Sequence, residues 1–276
     1  MSPLWRDEVG IHLSPSRVCM VRLRRGLRPS LVAQDERAIS LPESKQESGV
    51  SWSAALAAID ELLANATWRK AALRVVVADC WVRYAVVPWA ADLTSSRERL
   101  GHGRRLIESI YGEGVRGWET RLSSAPPETS RIACSIPCEL LAQILALSFK
   151  HSARICSLQP QLIVAYENWR HRLPAVGSWF VTVGDGTLAA ARLGKDCWDR
   201  VYSVRIGPDW TRELKRLQTF GRLSARAAGD CKVFVDAPQA WQEVAGPDGQ
   251  DLVWLQDDSA SLTTLRRLAW VRRLAA

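Results

Sequence analysis

The sequence predicts an α/β fold of mixed sheets, built as two similar lobes. Short alternating or continuous apolar runs read as strands, and longer stretches repeat their apolar residues about every 3.6 positions and read as helices. One order of elements also occurs twice. A hairpin, a third strand, a helix and a further strand open the chain, and the same order restarts after residue 178. The two halves share few residues, so the repeat lies in the order alone.

Taken in order, Val9 to Leu23 alternates around Ser14-Pro15-Ser16, which reads as two strands joined by a tight turn. A second turn over Arg24 to Pro29 leads to a strand from Leu31 to Ile39. Ser51 is expected to cap a helix from Trp52 to about Ala66, with apolar residues at 55, 56, 59, 62, 63 and 66. Leu73 to Ala78 is almost wholly apolar, the pattern of a strand buried on both faces, with Val82 to Val87 expected as its neighbour. A helix from Ser95 to Tyr111 stops at Gly112. Strands over Trp118 to Leu122 and Ile132 to Ile136 follow, then a helix from Cys138 to Phe149. After an extended stretch from Ile155 to Leu158, Pro160 suits the first turn of a helix reaching about Arg172. In the second half, strands are expected at Ser178 to Val183, Leu188 to Leu193, Arg200 to Ile206, Lys232 to Val235 and Leu252 to Leu255. A helix covers Pro208 to Phe220, and a last one starts near Ser261.

Composition narrows the function classes. The formal charge of +8 favours acidic partners, but no Lys/Arg run exceeds two residues, so nucleic acid is not expected. The chain holds 13 Trp, and Arg far outnumbers Lys. High genomic GC content explains such a bias; the alternative is that some Trp and Arg anchor an interface. Seven Cys at irregular spacing, mostly in apolar runs, read as reduced, buried thiols of a cytoplasmic protein. Trp5-Arg6-Asp7-Glu8 interrupts any apolar leader, and no stretch approaches the roughly 18 apolar residues that span a bilayer.

The chemical motifs are weak. Gly112-Glu113-Gly114-Val115-Arg116-Gly117 matches a dinucleotide fingerprint, yet a helix precedes it and a strand follows, the reverse of what a pyrophosphate site requires. These glycines are expected to end a helix and turn the chain. Cys134 and Cys138 lack a second pair at ligand spacing, so no metal is expected. From Thr263 to Leu274 the chain carries Arg266, Arg267, Arg272 and Arg273 beside an apolar stripe of 265, 268, 271 and 274, with Trp270 among them. It reads either as a packed terminal helix or as an amphipathic segment that docks on an anionic membrane or a partner helix.

Val82-Arg83-Tyr84-Ala85-Val86-Val87-Pro88-Trp89, the helix end at Tyr111-Gly112, and Ser157-Leu158-Gln159-Pro160 with Asn168 carry a family resemblance. The chain resembles the actin-like scaffold proteins of type IV pilus and type II secretion machines, the PilM-like, MshI-like and GspL-like proteins. That resemblance implies an actin-like (ribonuclease H-like) duplicated fold. It divides the chain into a first lobe at 1–174, with an inserted subdomain at about 90–137, and a second lobe at 175–276 ending in the basic helix. Proteins of this fold grip ATP with two hairpin turns, each presenting an Asp and a Gly. At the first turn this chain has His12 for the Asp and Ser14 for the Gly, and Pro15 removes an N–H before Ser16. At the second, Thr182 replaces the Asp, while Gly184 is kept and Asp185, Gly186 and Thr187 follow. Val235-Asp236-Ala237-Pro238 stands where a glycine-rich adenosine loop is expected. Without the carboxylates, Mg²⁺ lacks oxygen ligands beside a triphosphate, and phosphoryl transfer depends on that positioning. The resemblance therefore implies a pseudo-ATPase scaffold with no cofactor. Its expected partners are an inner-membrane pilus or secretion protein, an assembly ATPase, and peripherally the membrane itself. A nucleotide-binding or ATP-hydrolysing, sugar-kinase-like member of the same fold is the alternative.

Overall fold

The computed structural model describes residues 7–24, 30–40, 51–174, 177–194, 198–223, 232–245 and 252–255. Two compact units emerge. Among the described residues one comprises those up to Trp81 with Cys138–Asn168, the other Val82–Pro137 with those from Trp169 to Leu255.

In the first unit, β1 (Glu8–Leu13) is buried along its whole length because it lies mid-sheet. It pairs antiparallel with β2 (Arg17–Arg24), which in turn pairs antiparallel with β3 (Ser30–Ala38). On its other side β1 runs parallel to β4 (Ala72–Val77), and β4 parallel to β8 (Arg154–Pro160). The sheet order is thus β3-β2-β1-β4-β8. Helix α1 (Ser53–Ala64) buries Ala55, Leu56, Ile59, Leu62 and Leu63, one stripe of an amphipathic helix. Helix α3 (Cys138–Lys150) buries Leu140 and Ile144, and α4 (Gln161–Trp169) follows β8. An ion cluster ties α1 to the end of α3: Asp60 lies 2.6 Å from the Lys150 ammonium and 2.7 Å from the His151 ring.

The second unit repeats the topology. Strands β9 (Trp179–Gly184), β10 (Thr187–Leu193), β11 (Trp198–Arg205), β12 (Val233–Asp236) and β13 (Leu252–Trp254) lie in the order β11-β10-β9-β12-β13. The hairpin and third strand are antiparallel and the last two strands parallel, as in the first sheet. Trp179, Val181, Leu188, Trp210 and Leu214 form its core with α5 (Trp210–Leu223). The repeated order of elements read from the sequence is therefore a repeated sheet.

The same unit holds a three-stranded antiparallel sheet, β5-β7-β6, of β5 (Arg83–Val87), β6 (Glu119–Leu122) and β7 (Arg131–Ile136). Helix α2 (Ser96–Tyr111) packs on it through Ile107. Ser95 caps α2 reciprocally with Glu98, and Gly112, at φ +78°, stops it. The glycine motif after α2 is thus a turn, with a short helical turn over Glu113–Val115 between its glycines.

Four expectations need correction. Strand β5 is not the neighbour of β4; it pairs with β7 in the separate sheet, because adjacent apolar runs fix burial but not the hydrogen-bonding partner. The N-cap of α1 is Trp52, without a side-chain bond, and Ser51 sits one residue too early. Pro160 ends β8 instead of opening α4. Of the described cysteines only Cys19 is buried, and Cys138 and Cys156 are exposed, since α3 opens on its outer side and β8 is an edge strand. A further helix, α6 (Gln239–Ala245), follows β12; at seven residues it is too short to show a helical period.

Candidate functional site

The first hairpin turn closes on its own polar groups. Ser14 is fully buried. Its N–H donates to the Arg17 carbonyl at 3.1 Å, its hydroxyl donates to the same oxygen at 3.0 Å, and the Arg17 N–H returns to Ser14 Oγ at 3.3 Å. Pro15 carries no N–H at all. A phosphate-binding turn works by aiming backbone N–H groups at anionic oxygens. Here the Ser14 and Arg17 N–H groups are bonded inside the turn, and the serine hydroxyl locks it inward.

His12, expected where an acid would stand, is 2% exposed on β1, with Nε2 3.3 Å from Gln161 Oε1 at the start of α4. A buried acid near this turn, Asp79, was not singled out in the sequence. Ala78 N–H donates to the Leu13 carbonyl at 3.0 Å, which sets Asp79 just beyond the end of β1. Asp79 is buried and its Oδ1 accepts the Leu162 N–H at 2.9 Å, so the carboxylate caps α4, where the helix dipole favours a negative charge. Its signal was an acid directly after the apolar run of β4.

The second hairpin turn is different in kind. Asp185 has φ +50° and Gly186 φ +67°, the signature of a two-residue type I′ turn, which favours Asp-Gly. Thr187 pairs with Gly184 across it, and the Ile206 N–H donates to the Gly186 carbonyl at 2.9 Å. Thr182 is 1% exposed within β9 and stands in register with Ala189 on one side and Asp236 on the other. An acid thus adjoins the position where the resemblance implies one, but on the next strand. At the β12–α6 junction the Trp241 N–H donates to the Pro238 carbonyl at 3.0 Å, so proline starts the helix where a glycine loop would be needed.

Of the residues that carry the family resemblance, Arg83, Tyr84 and Tyr111 meet in the second unit, whereas Ser157–Pro160 and Asn168 belong to the first. The Tyr111 hydroxyl donates to the Tyr84 carbonyl at 3.2 Å, and burial raises its pKa above the usual phenol range. The Arg83 guanidinium lies over the rings of Tyr111 and Trp118, 5.5 and 5.6 Å from their centroids. This cluster joins β5 to the end of α2 and is structural. Arg266, Arg267, Trp270, Arg272 and Arg273 lie outside the described residues. Among the described residues no three His, Cys, Asp or Glu side chains gather as a metal site, and no helix is long and apolar enough to cross a membrane.

No protein-family model matches the sequence, and no curated protein matches it. Solved structures do. The chain is similar to a structure described as the PilM-PilN type IV pilus biogenesis complex at 17% identity and TM-score 0.63, covering 97% of this chain and 98% of that one. A Bacteroides thetaiotaomicron protein of actin-like ATPase fold and unknown function matches at 10% identity and TM-score 0.61, over 97% of this chain and 98% of that one. The cytoplasmic domain of EpsL, an inner-membrane component of the type II secretion system of Vibrio cholerae, matches at 10% identity and TM-score 0.58, over 98% and 95%. With its sheet of one order built twice, the chain has the actin-like fold, similar over nearly its whole length to pilus and type II secretion components.

Proposed function

We propose that this chain is a non-catalytic scaffold of a type IV pilus or type II secretion-like assembly, acting on the cytoplasmic side and binding an inner-membrane partner. The observation that carries this reading is the self-closed first turn, where the donors of Ser14 and Arg17 are consumed internally and Pro15 has none. A fold that grips phosphate through such turns keeps its shape and loses its grip. The full-length likeness to a PilM-PilN complex and to EpsL supports the choice of assembly. In this reading 1–174 and 175–276 are the two lobes in chain order, and about 90–137 is an insertion into the first.

Calorimetry with Mg-ATP and the full chain tests it. The expected result is no saturable binding tighter than about 1 mM. A first turn whose Ser14 and Arg17 N–H groups are already bonded also predicts no change in melting temperature with nucleotide, since a ligand stabilises only the state it binds. The competing reading is a nucleotide-binding or ATP-hydrolysing member of the fold. It is favoured by Asp185 in the second turn and by Asp236 beside Thr182. Micromolar binding that is lost in Gly184→Asp would establish that reading in its place. The scaffold reading also expects the cytoplasmic tail of an inner-membrane pilus or secretion protein to bind saturably.

The basic stretch from Thr263 to Leu274 is proposed as a second contact, with partner or anionic lipid. Changing Arg266, Arg267, Arg272 and Arg273 together to Gln should weaken sedimentation with anionic liposomes. A variant that binds liposomes and the inner-membrane partner as well as the wild type would make the stretch structural only.

A further inference from the structure

Among the described tryptophans Trp68, Trp81, Trp169, Trp179 and Trp210 are buried, whereas Trp89 exposes 49% of its surface. It stands just past the end of β5, at a concavity of ≈ 270 Å³ within the second unit. Trp89 and Arg99 line it with Arg131 and the loop residues Pro126, Pro127 and Glu128. An exposed indole beside a ridge of prolines is the kind of surface that receives extended peptides, because flat rings pack against a chain that has little conformational freedom left to lose.

The charge of the concavity is set by guanidiniums fixed in place without acids. Arg99 donates to the carbonyls of Ser95 and Thr94, and Arg131 to those of Ser123 and Ala125 at 3.4 and 3.3 Å. Among the described residues neither is ion-paired with a carboxylate. A guanidinium has more N–H donors than these bonds use, so each keeps donors and an uncompensated charge while its orientation is already fixed. Glu128 is the one acid in the lining. We propose that this concavity docks an extended acidic peptide segment of a partner protein, with an apolar side chain on Trp89 and the prolines and its carboxylates on Arg99 and Arg131. This rests on the concavity alone, not on the assembly the chain serves. Glu128 repels surplus acid and so limits which acidic segments fit.

Fluorescence polarisation with the full chain tests the proposal. The probe is a fluorescein-labelled octapeptide of glutamates interspersed with leucine and proline. Its glutamine and lysine counterparts and a single-stranded oligonucleotide are the comparisons. The glutamate peptide should bind saturably and about tenfold or more tighter than the glutamine peptide, the scale of a charge-assisted contact. Trp89→Ala should weaken the glutamate and glutamine peptides alike, by about tenfold. Arg99→Gln with Arg131→Gln should remove the preference for glutamate yet leave glutamine-peptide binding intact, which separates lost charge from lost folding. Glu128→Gln should tighten the glutamate peptide. No binding by the glutamate peptide, equal binding of all three peptides, insensitivity to Trp89→Ala, or tighter binding of the oligonucleotide would each overturn it.

Discussion

Tyr111 illustrates how much one side chain is asked to do. Its hydroxyl bonds the Tyr84 backbone, and its ring carries the Arg83 guanidinium. Replacing it with Phe keeps the ring and leaves the Tyr84 carbonyl without that donor, so we expect a loss of about 1 kcal/mol in denaturant unfolding. The raised pKa adds a pH signature. The neutral phenol is the form the fold prefers, so its contribution is complete below the unfolded value near pH 10 and is lost as pH rises through the higher folded value. Thermal melts of the wild type and Tyr111→Phe should therefore converge in alkali. Ser14 is the other pivotal residue. Ser14→Ala removes both bonds of its hydroxyl while keeping its N–H bond to Arg17. A loss of about 1 kcal/mol is expected, with faster amide exchange at Arg17 as the specific readout.

Helix α2 depends on its first turn, since none of its last-turn residues is basic and only Gly103 and Ile107 are buried. Ser95 Oγ accepts the Glu98 N–H at 3.1 Å, and Glu98 accepts the Ser95 N–H at 2.8 Å. Ser95→Ala should cost about 1 kcal/mol, and Ser95→Gly markedly less, both by denaturant unfolding. The Asp60 cluster between α1 and the end of α3 carries its own pH dependence. Hydrogen bonds from Lys150 and then His151 hold the Asp60 carboxyl below its usual range. A depressed acid stabilises the fold above its unfolded value near pH 4, and that contribution vanishes as pH falls through the lower folded value. Asp60→Asn should thus lower the melting temperature at neutral pH and match the wild type at strongly acidic pH. At this scale the sequence was most readable: the start of α2 at Ser95, its stop at Gly112 and the buried stripe of α1 were legible because each is a local rule, although the serine expected as a cap, Ser51, is not the N-cap. Helix α6 was not, because seven residues give no period, and neither was β5's partner, because pairing is decided by residues far along the chain.

At the scale of the whole molecule the repeated order of strands was legible without any residue likeness, since strand length, hairpin and crossover leave a pattern even when side chains diverge. The actin-like fold was read from a few stretches whose residues prove to be packing groups, Arg83, Tyr84 and Tyr111 among them. The candidate site was only partly legible. His12, Ser14 and Thr182 could be placed against an expected turn. Asp79 escaped notice, because its bond runs to Leu162, 83 positions on. The concavity at Trp89 was equally hidden, because its wall joins two loops about forty residues apart that only the β5–β7 pairing brings together.

The inward serine of the first turn has a historical consequence. To present an anion-binding turn at this place, a descendant would have to change Ser14 and thereby dissolve the lock before any acid at position 12 could be useful. Each intermediate would fold less well and gain no ligand in return. Such a turn would behave as a ratchet, easier to close by substitution than to reopen.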